Sequence, residues 1–127
     1  MIFCQTLTFS QSPYKLPELG FTYNALEPYI DAMTMEIHLT KHHAAYVNNL
    51  NTALKGTNAE NLPLLDVMKN ISAYSPAVRN NAGGHFNHSL FWTILTPEKN
   101  TQPSKDLMEA INDQFTSMDS LKTLLNK

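Results

Sequence analysis

Cysteine is nearly missing from this 127-residue chain. Cys4 stands alone, which excludes an internal disulfide and a thiolate cluster. Any metal ion here would have to be held by imidazole and carboxylate. No charge of one sign prevails: 9 Lys and Arg against 11 Asp and Glu leave a formal net charge of -2, and the basic residues are scattered. That excludes the electrostatic footprint of a nucleic-acid or lipid-surface binder. No apolar run approaches the roughly 20 residues that a membrane-spanning helix needs. Also missing are His-Glu-x-x-His, Gly-x-Ser-x-Gly, a P-loop and Gly-x-Gly-x-x-Gly, so zinc-hydrolase, serine-hydrolase and nucleotide-binding signatures are absent. Glycine is scarce as well, with only four, and two of them are adjacent at Gly83-Gly84.

What the chain does have is five histidines gathered into two stretches. At helical pitch, positions four apart stack along one side. His38, His42, Tyr46, Leu50 and Leu54 therefore form one row, polar at one end and apolar at the other. In the second stretch Val78, Asn81, His85, His88, Trp92 and Leu95 follow a 3, 4, 3, 4, 3 spacing, the seam of a helix packed on another helix. Two helices with imidazoles on their inner rows are expected to face each other.

The remaining segments read as support for that meeting. Met1 to Ser10 lack the positive start of a secretory signal and are read as a loose arm, taken to extend through residue 13. The alternative is a shortened signal peptide, which would mean export; otherwise the chain reads as cytoplasmic. Two prolines and a glycine in residues 11–23 make an extended lead-in. Asn24 and Glu27 suggest a capping box, with Pro28 in the first turn of a long helix. Along that helix Leu26, Ile30, Met33, Ile37 and Ala44 define a second apolar side, so burial on two sides is expected. Gly56 and residues 58–63 close the hairpin, and a short helix opens at Pro63. Ser75-Pro76 starts the helix of His85 and His88, which runs to about Leu95 before Pro97 ends it. Ser104 starts a helix through Ile111, and residues 116–119 cap a last one whose Leu121, Leu124 and Leu125 lack an evident surface. The chain looks cut rather than finished.

Each glycine costs roughly 1 kcal/mol in a helix interior relative to alanine, so Gly83-Gly84 points to the close approach of another helix or of a bound centre. A histidine from each of two facing helices makes half of a metal site; a complete one generally needs three or more protein ligands. No carboxylate falls on either histidine row, and no third ligand is evident.

The stretches Met35-Glu36-Ile37-His38 through Asn51 and Asn80-Asn81-Ala82-Gly83-Gly84-His85-Phe86-Asn87-His88-Ser89-Leu90-Phe91-Trp92 resemble the N-terminal half of iron/manganese superoxide dismutases. Tyr14 to Leu19 and Ala25 to Ile30 fit as well. The resemblance implies that His38 and His88 are metal ligands, that His42 and Tyr46 line the substrate funnel and its hydrogen-bond relay, and that Trp92 walls the metal pocket, with Gly84, Asn81 and His85 in its surroundings. It implies a metal ion cycling between two oxidation states, with superoxide as substrate and dioxygen and hydrogen peroxide as products. Gly84 stands where iron-type members tend to carry a glutamine, so the pattern is manganese-like, with iron as the alternative. Leu39 replaces a histidine common beside the first ligand; little effect on binding is expected. Family members continue into an α/β domain that supplies an aspartate and a third histidine and much of a homodimer contact, and no such motif is present in this sequence.

The expected fold is therefore all-α: a long antiparallel helical hairpin with short flanking helices over residues 14–127, ending before an α/β domain. Superoxide dismutation is the function implied, with low activity expected of a chain that carries two of four ligands. The competing readings are a non-enzymatic helical module, a weak metal-binding fragment, or one half of a split enzyme.

Overall fold

The computed structural model describes residues 14–127; the arm assigned to residues 1–13 lies outside them. The described residues are helical with no strand. They divide into two units, one ending at Pro97 and the other spanning Glu98–Lys127.

In the first unit, one rod is built from α1 (Ala32–Ile37), a π-helical turn (His38–His43) and α2 (Ala44–Leu54). A short α3 (Leu64–Lys69) follows, then the 19-residue α4 (Pro76–Ile94). Contacts between the rods run in opposite senses. His38 meets Trp92, His43 meets His88, and Tyr46 meets Gly84, so the pair is an antiparallel hairpin. Ser75 caps α4, its side chain accepting from the Val78 N–H, and Pro76 occupies the first helical position, where a missing N–H costs little. Gly56, at a φ of 75°, turns the chain out of α2.

The start of the first rod differs from the sequence expectation. Asn24 and Glu27 do not cap a long helix. Tyr23–Leu26 form a single 3-10 turn, and Glu27, preceding Pro28, is extended, as residues before proline tend to be. The rod begins at Ala32 instead, capped by Asp31, whose carboxylate accepts from both the N–H and the hydroxyl of Thr34. This restart resets the helical phase. The expected second apolar side is consequently exposed at Met33 (69 %) and Ile37 (42 %), while Met35 and Leu39 turn inward.

Two apolar clusters hold the hairpin. The larger joins Val47, Leu50 and Leu54 of α2 to Val67 of α3 and Val78 and Ala82 of α4. Tyr14 ties the lead-in to it: its backbone exchanges hydrogen bonds with the Asn51 amide, and its hydroxyl donates to the Leu62 carbonyl. The smaller cluster packs Leu26, Met35 and Leu39 on Trp92. Leu39, expected to lie off the ligand row, is a core residue of that cluster.

In the second unit, α5 (Lys105–Phe115) is capped by Ser104 and α6 (Met118–Leu125) by Ser117. These two helices pack on each other, burying Ile111, while Leu124 and Leu125 stay exposed.

Candidate metal centre

The π turn decides which histidines meet. In it the Ala44 N–H reaches back five residues to the Leu39 carbonyl, so one more residue fits into the turn than an α-helix allows. Side chains five apart, rather than four, then share the inner face. His38 and His43 both point at α4, while His42 lies at the edge and is exposed.

His38 and His88 converge from opposite rods, with ring centroids 4.9 Å apart and planes at 85°. Together with Thr34, Ile37, His42 and Tyr46 they line a cavity of about 470 Å³. His38 is held between rings, 4.9 Å from Trp92 and 5.4 Å from Phe91. The Nδ1 of His88 lies 2.8 Å from the Gly84 carbonyl, which can only accept, so Nδ1 carries the proton and Nε2 keeps its lone pair. That is the arrangement in which a backbone acceptor orients an imidazole ligand for a metal ion. The Tyr46 ring lies 5.1 Å from that of His88.

Behind His88 lies a buried group that the four-residue spacing of the histidines does not predict. His43 has no solvent exposure and joins three residues of α4. Trp92 donates from Nε1 to His43 Nδ1 at 2.9 Å. An indole N–H can only donate, so His43 Nδ1 bears the lone pair and the proton of a neutral ring sits on Nε2. From there His43 donates to His85 Nδ1 at 2.7 Å. The face of His43 stacks on His88 at 5.2 Å and 28°. Burial, followed by repulsion from His85, His88 and His38, pushes His43 down to about 4 from the ordinary 6.5. Burial and the neighbouring imidazoles lower His38 as well, and burial and His88 lower His85. His38, His43 and His85 thus favour the neutral ring, the form in which imidazole binds metals.

The glycine pair splits in two. A Cβ on Gly84 would collide with the Tyr46 ring, so the close approach expected from the sequence is real at this position. Gly83 faces open space. Of the other expected surroundings, Trp92 packs against His38 at 4.9 Å, and both it and His85 lie buried behind the cavity rather than on it. Asn81 takes no part in the lining; its amide donates to the Ala77 carbonyl of its own helix. His43 was legible only as the second half of the His42-His43 doublet, since a four-residue row selects His42.

Comparison with known proteins places this hairpin. Residues 13–96 match the family model for iron/manganese superoxide dismutases, alpha-hairpin domain. The chain belongs to the iron/manganese superoxide dismutase family. Among relatives, it is 44% identical over 119 residues to a manganese superoxide dismutase of Pseudomonas aeruginosa and 49% identical over 120 residues to one of Thermus aquaticus; in both cases 91% of this chain aligns with 59% of the relative. A superoxide dismutase of Methylomonas sp. (strain J) named for manganese or iron is 46% identical over 118 residues, covering 90% of this chain and 58% of the relative. The chain thus spans well under two thirds of the length of these dismutases.

Within this dismutase hairpin the donor set fits half of a metal shell. Two imidazoles on opposite rods face one cavity, one of them with its lone pair freed by a backbone acceptor. Among the described residues no group of three or more His, Cys, Asp or Glu side chains could hold an ion.

Proposed function

We propose that this chain is the helical half of a superoxide dismutase centre, with His38 and His88 as two ligands to manganese, or alternatively iron. The observation that supports it is the convergence of these rings on the cavity with His88 Nδ1 committed to Gly84. An ion held there by His38 and His88 would supply the redox chemistry of superoxide dismutation. The chain's own residues provide orientation and shelter. Gly84 fixes the tautomer of His88, and Trp92 and Phe91 pack around His38 to limit water. His42 and the Tyr46 ring stand at the cavity, where they can pass protons to a reduced substrate and narrow its approach.

Two imidazoles alone hold an ion weakly, and the described residues add no further ligand to them. The isolated 127-residue chain is therefore expected to be inactive or nearly so. A reading in which another polypeptide segment completes the site is favoured by the exposed apolar pair Met33 and Ile37, one helical turn apart, the second of which lines the cavity. The test is a superoxide-removal assay on the purified chain loaded with manganese or iron, beside His88→Ala. Metal uptake that weakens in His88→Ala, with negligible turnover, is the expected result. Robust turnover lost in that variant would overturn the claim of inactivity, and metal uptake untouched by the substitution would overturn the ligand assignment.

A further inference from the structure

His43 touches α4 at three successive inner-row positions. It accepts from Trp92, donates to His85, and lays its ring on His88 between them. The three residues lie at 85, 88 and 92, one helical turn before and one after the residue at the centre. A single side chain from the first rod thus fixes both the height and the rotation of the second rod around His88. Its two hydrogen bonds have a definite direction, because the donor-only indole sets His43 Nδ1 as acceptor and passes the choice on to His85. In a neutral His85 the proton is left on Nε2. The π turn is what brings His43 to this place, since at ordinary helical pitch residues 38 and 43 would diverge by about 140°.

We propose that His43 is the positioning residue of this centre: it locks α4 in register so that the imidazole of His88 is held against His38 on the cavity. This rests on the metal-site reading above, but its first test does not. In the 127-residue chain without metal, long-range nitrogen–proton NMR correlations report each histidine's tautomer. The expected pattern is Nε2–H for His43 and His85 and Nδ1–H for His88. A His43 carrying its proton on Nδ1 would overturn the proposal without any mutation.

The second test uses Co2+ as probe. His43→Phe keeps an aromatic ring but removes both hydrogen bonds; Co2+ affinity should fall about tenfold to a hundredfold, as for other residues that orient a ligand from behind. In the same variant the His85 tautomer should become mixed, while the Gly84 carbonyl keeps the proton of His88 on Nδ1. His43→Gln retains one acceptor and one donor and should recover most of the affinity. Leu54→Ala, a core change in α2, serves as the stability control and should leave both readouts of the folded chain unchanged. If His43→Phe and His43→Gln both keep the parent affinity and the His85 tautomer, His43 is packing only and the proposal fails. Should the parent chain bind no Co2+ at all, the metal reading fails instead, and the tautomer of His85 in the two variants still decides the role of His43.

Discussion

A methyl group added at Gly84 would run into the ring of Tyr46, whereas one added at Gly83 would meet nothing. Gly83→Ala is therefore expected to stabilise the fold by up to about 1 kcal/mol through helix propensity. Gly84→Ala should destabilise it by roughly 1–3 kcal/mol, the usual cost of overpacking, and displace Tyr46. Urea titrations of the two variants, with Tyr46 ring signals followed by NMR, would show the contrast; equal effects would contradict it. His43 makes a second prediction at this scale. Unfolded, it takes up a proton near the ordinary 6.5; folded, only near about 4. Between those values the unfolded chain binds more protons, so stability falls as the pH is lowered through this window, by as much as about 3 kcal/mol. His38 and His85 shift in the same direction and add to the trend. Denaturation midpoints measured from pH 7 to 4 should slope accordingly, and the slope should shrink in His43→Gln.

Local chemistry explains which elements the sequence made legible. Ser75, Ser104 and Ser117 each cap the helix that their position announces, because a cap needs only a hydroxyl and an N–H three residues on. The rod containing His38 was harder. Its true cap, Asp31, lies seven residues after Asn24, and the extended Glu27 before Pro28 broke the periodicity from which the second apolar side was read. The π turn was invisible for a different reason. Its extra residue shows only as a choice between His42 and His43, and both satisfy a helical pattern. That the rods carry facing imidazoles was legible; which imidazole lies deepest was not. Deleting Thr40 would remove the extra residue and leave His38 and His43 four apart on a regular α-helix, where both still face α4. Retention of the Trp92 indole N–H shift characteristic of its bond to His43 would confirm this, and loss of that shift would count against reading the turn as one inserted residue.

For the whole molecule, the exposed pair Met33 (69 %) and Ile37 (42 %) on α1 is apolar surface reaching the cavity at Ile37. Patches of this kind promote association. The purified chain should therefore show concentration-dependent self-association by sedimentation velocity, and Met33→Glu should shift it towards monomer. A monomer at all concentrations would remove the patch from consideration. The histidine centre sets a separate condition. Burial and neighbouring imidazoles lower His38, His43 and His85, and no carboxylate is among the groups that act on them. Neutral nitrogens can solvate a cation, yet they cancel none of its charge. An ion seated between these rods would keep its full positive charge, and its electroneutrality would depend on anions that the residues lining the cavity do not provide.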